Sequence, residues 1–91
     1  MDYRVDHEGY EFFIEQEKNN VKRSIIDSYI DLRKSRGITQ QEITERTGMK
    51  RTNIVRIENG KSVPAIEVLV KLAAALDMEL KVSLGGRDEN G

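Results

Sequence analysis

The residues best suited to recognise a ligand are hydrogen-bond donors and cations gathered in one short segment, namely Lys50, Arg51, Thr52 and Arg56. An arginine guanidinium presents two parallel N–H donors that match the acceptor edge of guanine, and a threonine methyl can contact thymine. Ile54 and Ile57 lie one helical turn apart in this segment, so they would bury one side of a helix and leave the cations exposed. The pattern predicts a helix that presents its first residues to nucleic acid.

Residues 38–61 have the pattern of two short helices joined by a tight turn, and the second of these helices carries the cations. Thr39 is suited to cap the first helix, and Glu42 follows it at the spacing of a capping box. Gly48 stands where the first helix must end, because glycine accepts a left-handed conformation at little steric cost. The second helix is predicted to begin near Thr52. Since a helix-turn-helix places its second helix in the major groove, the segment predicts DNA binding.

In the rest of the chain, the spacing of apolar residues predicts further helices and one strand. Residues 11–18 have the pattern of a short helix that Asn19-Asn20 interrupts, and an amphipathic helix then runs from Val21 to Gly37. Another helix follows Pro64. Residues 79–84 alternate polar and apolar side chains, which predicts a strand.

These elements define four parts of one small domain. An acidic extension that could hold a short helix is predicted over 1–20, the DNA-binding domain over 21–77, a strand over 78–84 and a flexible tail over 85–91. The expected architecture is all-α, a bundle of four to five helices with one short C-terminal strand.

The net charge of −1 conceals a strong gradient along the 91 residues. Residues 1–17 hold six acidic residues against one basic residue, a balance of −5, whereas residues 46–61 hold five basic residues against one acidic residue, a balance of +4. Such asymmetry can steer a polyanion to one face of the molecule even when the total charge is slightly negative.

Several functional classes lack support in the sequence. The chain has no cysteine and a single histidine, His7, so no catalytic centre, metal site or cofactor site is predicted. Gly85-Gly86 has no following lysine or helix of the kind a phosphate loop needs. No apolar run approaches the ~20 residues of a membrane span, and no secretory signal is recognisable, so a cytoplasmic location is expected.

The combined pattern over about residues 24–77 resembles the Cro/phage-repressor type of helix-turn-helix, also called the XRE family. The residues that carry the resemblance are Leu32, Arg33, Gly37, Ile38, Thr39, Gln40, Glu42, Ile43, Gly48, Ile54, Ile57, Glu58, Asn59, Gly60, Lys61, Pro64, Leu69, Ala75 and Leu76. Thr44 and Thr47 depart from the family pattern, which prefers a small alanine and an apolar residue there. A threonine hydroxyl can bond to a carbonyl of the preceding turn, so neither residue should break the fold.

The resemblance implies a lambda-repressor-like fold and a role for each matching site residue. The positions that reach base edges in the family are held by Lys50, Arg51, Thr52 and Arg56. Positions that contact the phosphate backbone are held by Gln40, Asn59 and Lys61. Arg33 and Glu58 match an ion pair that ties the first helix to the recognition helix, the second helix of the motif.

The resemblance further implies a dimeric repressor that occupies a palindromic operator in double-stranded DNA. An extension before the domain and a strand after it are similar to antitoxins of the HigA or HipB kind, which repress their own operon and hold a toxin. The acidic residues 1–17, with their aromatic side chains, would contact a basic toxin or instead cover the domain's own core. The alternative function is a protein-interaction module that keeps the fold without using DNA, which the acidic pI of 5.8 favours.

A single strand cannot satisfy its own backbone hydrogen bonds, so residues 79–84 need a partner. We expect them to pair antiparallel with the same segment of a second subunit, with Leu80, Val82 and Leu84 facing inward onto Leu76. Pairing with Tyr3–Val5 or with the sheet edge of a toxin is the competing arrangement.

Overall fold

The computed structural model describes residues 7–86, which form four α-helices and no β-strand. The helices are α1 (His7–Ser35), α2 (Gln40–Thr47), α3 (Arg51–Glu58) and α4 (Ile66–Ala75). The all-α prediction is confirmed, and α2 and α3 are the two helices expected over residues 38–61.

Helix α1 is continuous for 29 residues, so the predicted interruption at Asn19-Asn20 was wrong. Asparagine lowers helix stability by no more than about 0.7 kcal/mol relative to alanine, and it keeps the backbone donor that proline lacks. Lys18 Nζ also lies 2.9 Å from Glu15 Oε2, an i,i+3 pair that supports the helix beside this point. The result is a helix roughly 43 Å long.

The core is formed by one face of α1 and by the facing sides of the other three helices. Its buried members are Ile26, Tyr29, Ile43, Ile54, Ile57, Leu72, Ala75 and Leu76. None of the described residues before Ile26 belongs to it, and Phe12 on the first half of α1 is 66% exposed. No described residue of the N-terminal extension is therefore part of the buried core, although Ile14 lines a depression with Ile26 and Leu69.

The C-terminal segment, residues 78–86, has no regular secondary structure in the single chain. Leu80 is half-buried and lines a cavity with Tyr29 and Leu76, as expected of an inward-facing residue. Val82 and Leu84 are exposed, so they do not face inward within one chain. The alternative partner segment Tyr3–Val5 lies outside the described residues, as does the tail after Gly86.

Candidate nucleic-acid interface

Helices α2 and α3 are joined by residues 48–50, the short glycine-containing connection of a helix-turn-helix. Thr39 Oγ1 accepts from the Glu42 backbone N–H at 3.1 Å, and Glu42 Oε1 accepts from the Thr39 N–H at 3.2 Å, so the predicted capping box is present. Gly48 has φ +75° and donates its N–H to the carbonyl of Thr44 at 2.9 Å, which ends α2 in a left-handed cap.

Helix α3 has two sharply different sides. Ile54 is fully buried and Ile57 nearly so, because both pack into the core. All four residues of the predicted base-contacting set are exposed, namely Lys50, Arg51, Thr52 and Arg56. Lys50 precedes the helix and makes no side-chain capping bond. The N–H groups of Arg51 and Thr52 have no hydrogen-bond partner among the described residues, whereas the Asn53 N–H donates to the Lys50 carbonyl at 3.0 Å.

The Arg33–Glu58 pair connects the end of α1 to the last residue of α3. Arg33 Nε and Nη2 donate to separate Glu58 oxygens at 2.9 and 2.7 Å, and Arg33 Nη1 donates to the Ile38 carbonyl at 2.9 Å. Only 10% of the Arg33 side chain and 6% of the Glu58 side chain are exposed. Gln40 Nε2 adds a third donor to Glu58 at 3.2 Å, so residues of α1, α2 and α3 meet at one carboxylate.

Gln40 was expected to contact DNA phosphate, and its amide is already engaged with Glu58. A side-chain amide nitrogen carries two N–H donors, so one remains for another acceptor. Gln40 is also the first residue of α2, where unpaired backbone N–H groups and the helix dipole favour an anion.

Tyr29 lies behind the ion pair, and its hydroxyl is buried without a hydrogen-bond partner in the described part of the chain. Burial raises the pKa of this hydroxyl far above its usual value of about 10, and the nearby Glu58 charge raises it further. The Tyr29 hydroxyl therefore stays neutral beside the charged pair.

The loop after α3 carries the other two predicted phosphate contacts. Asn59 and Lys61 are both exposed, and Gly60 between them has φ +74°, a left-handed conformation that glycine adopts without strain. The Lys61 N–H donates to the Arg56 carbonyl at 2.9 Å, so the loop closes onto the last turn of α3.

Two arginines have structural contacts that the sequence did not reveal. Arg46 Nη1 donates to the Ala75 carbonyl at 2.6 Å, and Arg36 Nη1 donates to the Leu76 carbonyl. Both cations thus satisfy carbonyl groups at the C-terminal end of α4. Arg46, although part of the basic stretch 46–61, is bound to α4. Arg46 Nη2 also lies 3.7 Å from Glu42 Oε2, four positions earlier on α2, but this spacing does not indicate the contact with α4.

The two threonines that depart from the family pattern differ from each other. Thr47 Oγ1 donates to the Ile43 carbonyl at 2.7 Å and accepts from the Met49 N–H at 3.1 Å. The Thr44 hydroxyl, in contrast, is buried without a partner among the described residues. The expected bond to the preceding turn is therefore made by Thr47 and not by Thr44.

Residues 7–86 show neither a membrane-spanning helix nor a metal-binding cluster. No helix in this range is both long and apolar enough to cross a membrane. The same range contains no group of three or more histidine, aspartate or glutamate side chains arranged to hold a metal ion.

These elements define a helix-turn-helix protein, with α2 and α3 as the two motif helices held against α1 and α4. A sequence profile of the helix-turn-helix family matches residues 30–82, more than half of the chain. The chain therefore belongs to the helix-turn-helix family, and the resemblance noted from the sequence is confirmed.

Two relatives are described as uncharacterised HTH-type transcriptional regulators. The one from Haemophilus influenzae is 34% identical over 74 residues, which cover 79% of this chain and 76% of the relative. The one from Methanothermobacter thermautotrophicus is 36% identical over 59 residues, 65% of this chain and 86% of the relative. The ImmF control region 10 kDa protein of Bacillus phage phi105 is 35% identical over 52 residues, 57% of this chain and 58% of that protein. No solved structure matches the chain significantly.

Proposed function

We propose that this protein is a sequence-specific DNA-binding transcriptional regulator that inserts α3 into the major groove. The observation that carries the proposal is the division of α3 into a buried side, with Ile54 and Ile57, and an exposed cationic side at its beginning. A helix held in this way can present donors to base edges without losing its own packing. The relatives that are named as transcriptional regulators support the same conclusion.

In this proposal Arg51 and Arg56 read bases, and Thr52 contacts a thymine methyl. Both arginines are exposed and offer bidentate donors suited to guanine. Lys50, at the edge of the same surface, contacts either a base or a phosphate.

The phosphate backbone would be held on two sides of α3. Gln40 lies at the start of α2, and Asn59 and Lys61 lie in the loop after α3. Such contacts fix the orientation of the protein on the duplex and add affinity that does not depend on sequence.

Repression would follow from a homodimer that occupies a palindromic operator and excludes polymerase, without a cofactor. Val82 and Leu84 are exposed in the single chain, and residues 79–86 form no backbone hydrogen bond within the described part of the chain. An antiparallel ribbon with a second subunit would cover these side chains and pair this backbone. A twofold axis through this ribbon would present two α3 helices about 34 Å apart, one turn of DNA.

A second role, as the antitoxin of a toxin–antitoxin pair, is proposed for the first half of α1. Phe12 and Ile14 are exposed there, and Glu8, Glu11 and Glu15 are exposed beside them. This combination of apolar and acidic side chains suits a basic protein partner. Both roles place the protein in the cytoplasm.

Selection of bound duplexes from a random pool by the purified protein tests the regulator proposal. Enrichment of a palindromic site whose half-sites are about one helical turn apart is the expected result. Failure to enrich any sequence, together with failure to bind random duplex at low salt, would indicate the interaction module instead.

Co-expression with the product of the adjacent gene tests the antitoxin role, since a stable complex should form and should weaken when Phe12 is changed to serine.

A further inference from the structure

Lys22 connects the middle of α1 to the loop that follows α3. Its Nζ donates to the Gly60 carbonyl at 3.3 Å, across 38 positions of sequence. The ammonium group is therefore held beside Asn59 and Lys61, the two residues of this loop that are proposed to contact phosphate. The resemblance to known repressors assigns no role to Lys22.

Lys22 and its neighbour Arg23 line one polar depression of about 450 Å³ against the same loop. Asn19, one turn earlier on α1, and Asn59 add amide donors to this depression. Two carboxylates also line the depression. Glu58 is already paired with Arg33, and Asp27 lies on the α1 side of the depression. The depression is therefore richer in available donors than in available acceptors.

Among the described residues, Lys22 and Arg23 have no carboxylate partner, unlike a nearby lysine of the same helix. Lys18 Nζ is paired with Glu15 at 2.9 Å. Within residues 7–86, neither Lys22 nor Arg23 forms an ion pair, and Arg23 is exposed. The first half of α1 is thus rich in acidic residues, whereas the part beside the loop after α3 carries the two cations Lys22 and Arg23.

We propose that Lys22 and Arg23 bind phosphate groups of duplex DNA, extending the backbone contact from the Asn59–Lys61 loop onto α1. This inference rests on the proposed DNA-binding function and deepens it by adding a third backbone-contacting element. Phosphodiester groups repeat along the strand at every nucleotide, so a strand that reaches the loop can continue onto the adjacent cations. The contact would add sequence-independent affinity and would not read bases.

The test compares the salt dependence of DNA binding by the wild-type protein and by Lys22→Gln/Arg23→Gln. Fluorescence anisotropy with the selected operator and with a random duplex, between about 50 and 200 mM salt, gives the slope of log affinity against log salt. Each lost phosphate contact should reduce the magnitude of the slope by about 0.9, so the double variant should lose between about one and two for each bound subunit, and twice that for a bound dimer. Affinity should fall by the same factor for both duplexes, by roughly tenfold or more for each bound subunit.

Two control variants separate a phosphate contact from other effects. Lys18→Gln/Lys71→Gln removes the same total charge outside the depression and should retain the wild-type slope. Lys22→Arg/Arg23→Lys keeps both charges and should restore the slope.

An unchanged slope in Lys22→Gln/Arg23→Gln would overturn the inference while operator binding still supported the proposed function. A loss confined to the operator would also overturn it, because the residues would then act through base recognition. Absence of all duplex binding by the wild-type protein would reject both proposals.

Discussion

Glu58, the last residue of α3, accepts two hydrogen bonds from Arg33 of α1, at 2.9 and 2.7 Å, while only 6% of its side chain is exposed. Removing one partner of a buried pair leaves the other charge without compensation, which costs much more than the net value of the pair. We therefore expect the pair to restrain the orientation of α3.

We predict that Arg33→Met lowers the free energy of unfolding by about 3–5 kcal/mol, because Gln40 is the one hydrogen-bond donor in the described structure that would remain for the buried Glu58 carboxylate. Arg33→Met/Glu58→Met should be more stable than the single variant, since it leaves no unpaired charge. Urea denaturation of the single and double variants measures both differences. The refolded double variant should still bind the operator poorly; full operator affinity would show that the pair does not set the orientation of α3.

Arg51→Ala and Lys61→Ala are predicted to weaken DNA binding in different ways. Arg51 is assigned to a base edge, so its loss should cost about 1–3 kcal/mol on the operator and relax the preference at one base position. Lys61 is assigned to phosphate, so its loss should weaken all duplexes equally and lower the salt slope by about one for each bound subunit. Anisotropy titrations with operator and single-base variants distinguish the two. Equal losses on every duplex for both proteins would reject the assignment of Arg51.

Thr44→Val is predicted to raise the free energy of unfolding by about 1 kcal/mol, because it replaces a buried hydroxyl that has no partner in the described structure. Thr47→Val is the matched change three positions later. It should lower stability by about 1–2 kcal/mol, since it removes the bonds to Ile43 and Met49. Thermal and urea unfolding measure both effects. A destabilised Thr44→Val protein would mean that this hydroxyl has a partner after all.

The raised pKa of Tyr29 predicts a loss of stability in strong alkali. The unfolded chain releases this phenolic proton above about pH 10, whereas the folded protein retains it, so the folded state binds more protons. The free energy of unfolding should then fall by about 1.4 kcal/mol per pH unit above pH 10, an effect absent at neutral pH. Tyr29→Phe should remove this part of the decline, and Tyr10→Phe, at a 44% exposed position, should keep it. Urea titrations from about pH 9 to about pH 11, one unit on either side of the ordinary tyrosine pKa of about 10, test the difference. Identical declines in the two variants would contradict the prediction.

Val82→Pro is predicted to convert the proposed dimer into a monomer, because proline removes a backbone donor from the strand over residues 79–84. Gly86→Pro, beyond that strand, is the control and should leave the dimer intact. Sedimentation measures the association state, and the operator titration should show loss of cooperative binding only for Val82→Pro. A Val82→Pro protein that remained dimeric with undiminished operator affinity would place the dimer interface elsewhere.

The local elements could be predicted from the sequence because their signals involve residues a few positions apart. The Thr39–Glu42 capping box, the left-handed Gly48 and the spacing of Ile54 and Ile57 are examples, and each has the predicted form. Helix α1 shows the limit of such signals. Asn19-Asn20 is a weak helix breaker, and the energy of continuing the helix exceeds its small penalty.

The contacts between distant segments were decided by the tertiary structure. The sequence indicated charges at Arg46 and Lys22, but only the packing of α1 and α4 brings Arg46 to the Ala75 carbonyl and Lys22 to the Gly60 carbonyl. Which cation is available to a ligand depends on carbonyl and carboxylate groups that are far away in sequence. Periodicity and capping fix the residues of each helix that face inward, whereas the partners of the outward-facing charges depend on how the helices are arranged in space.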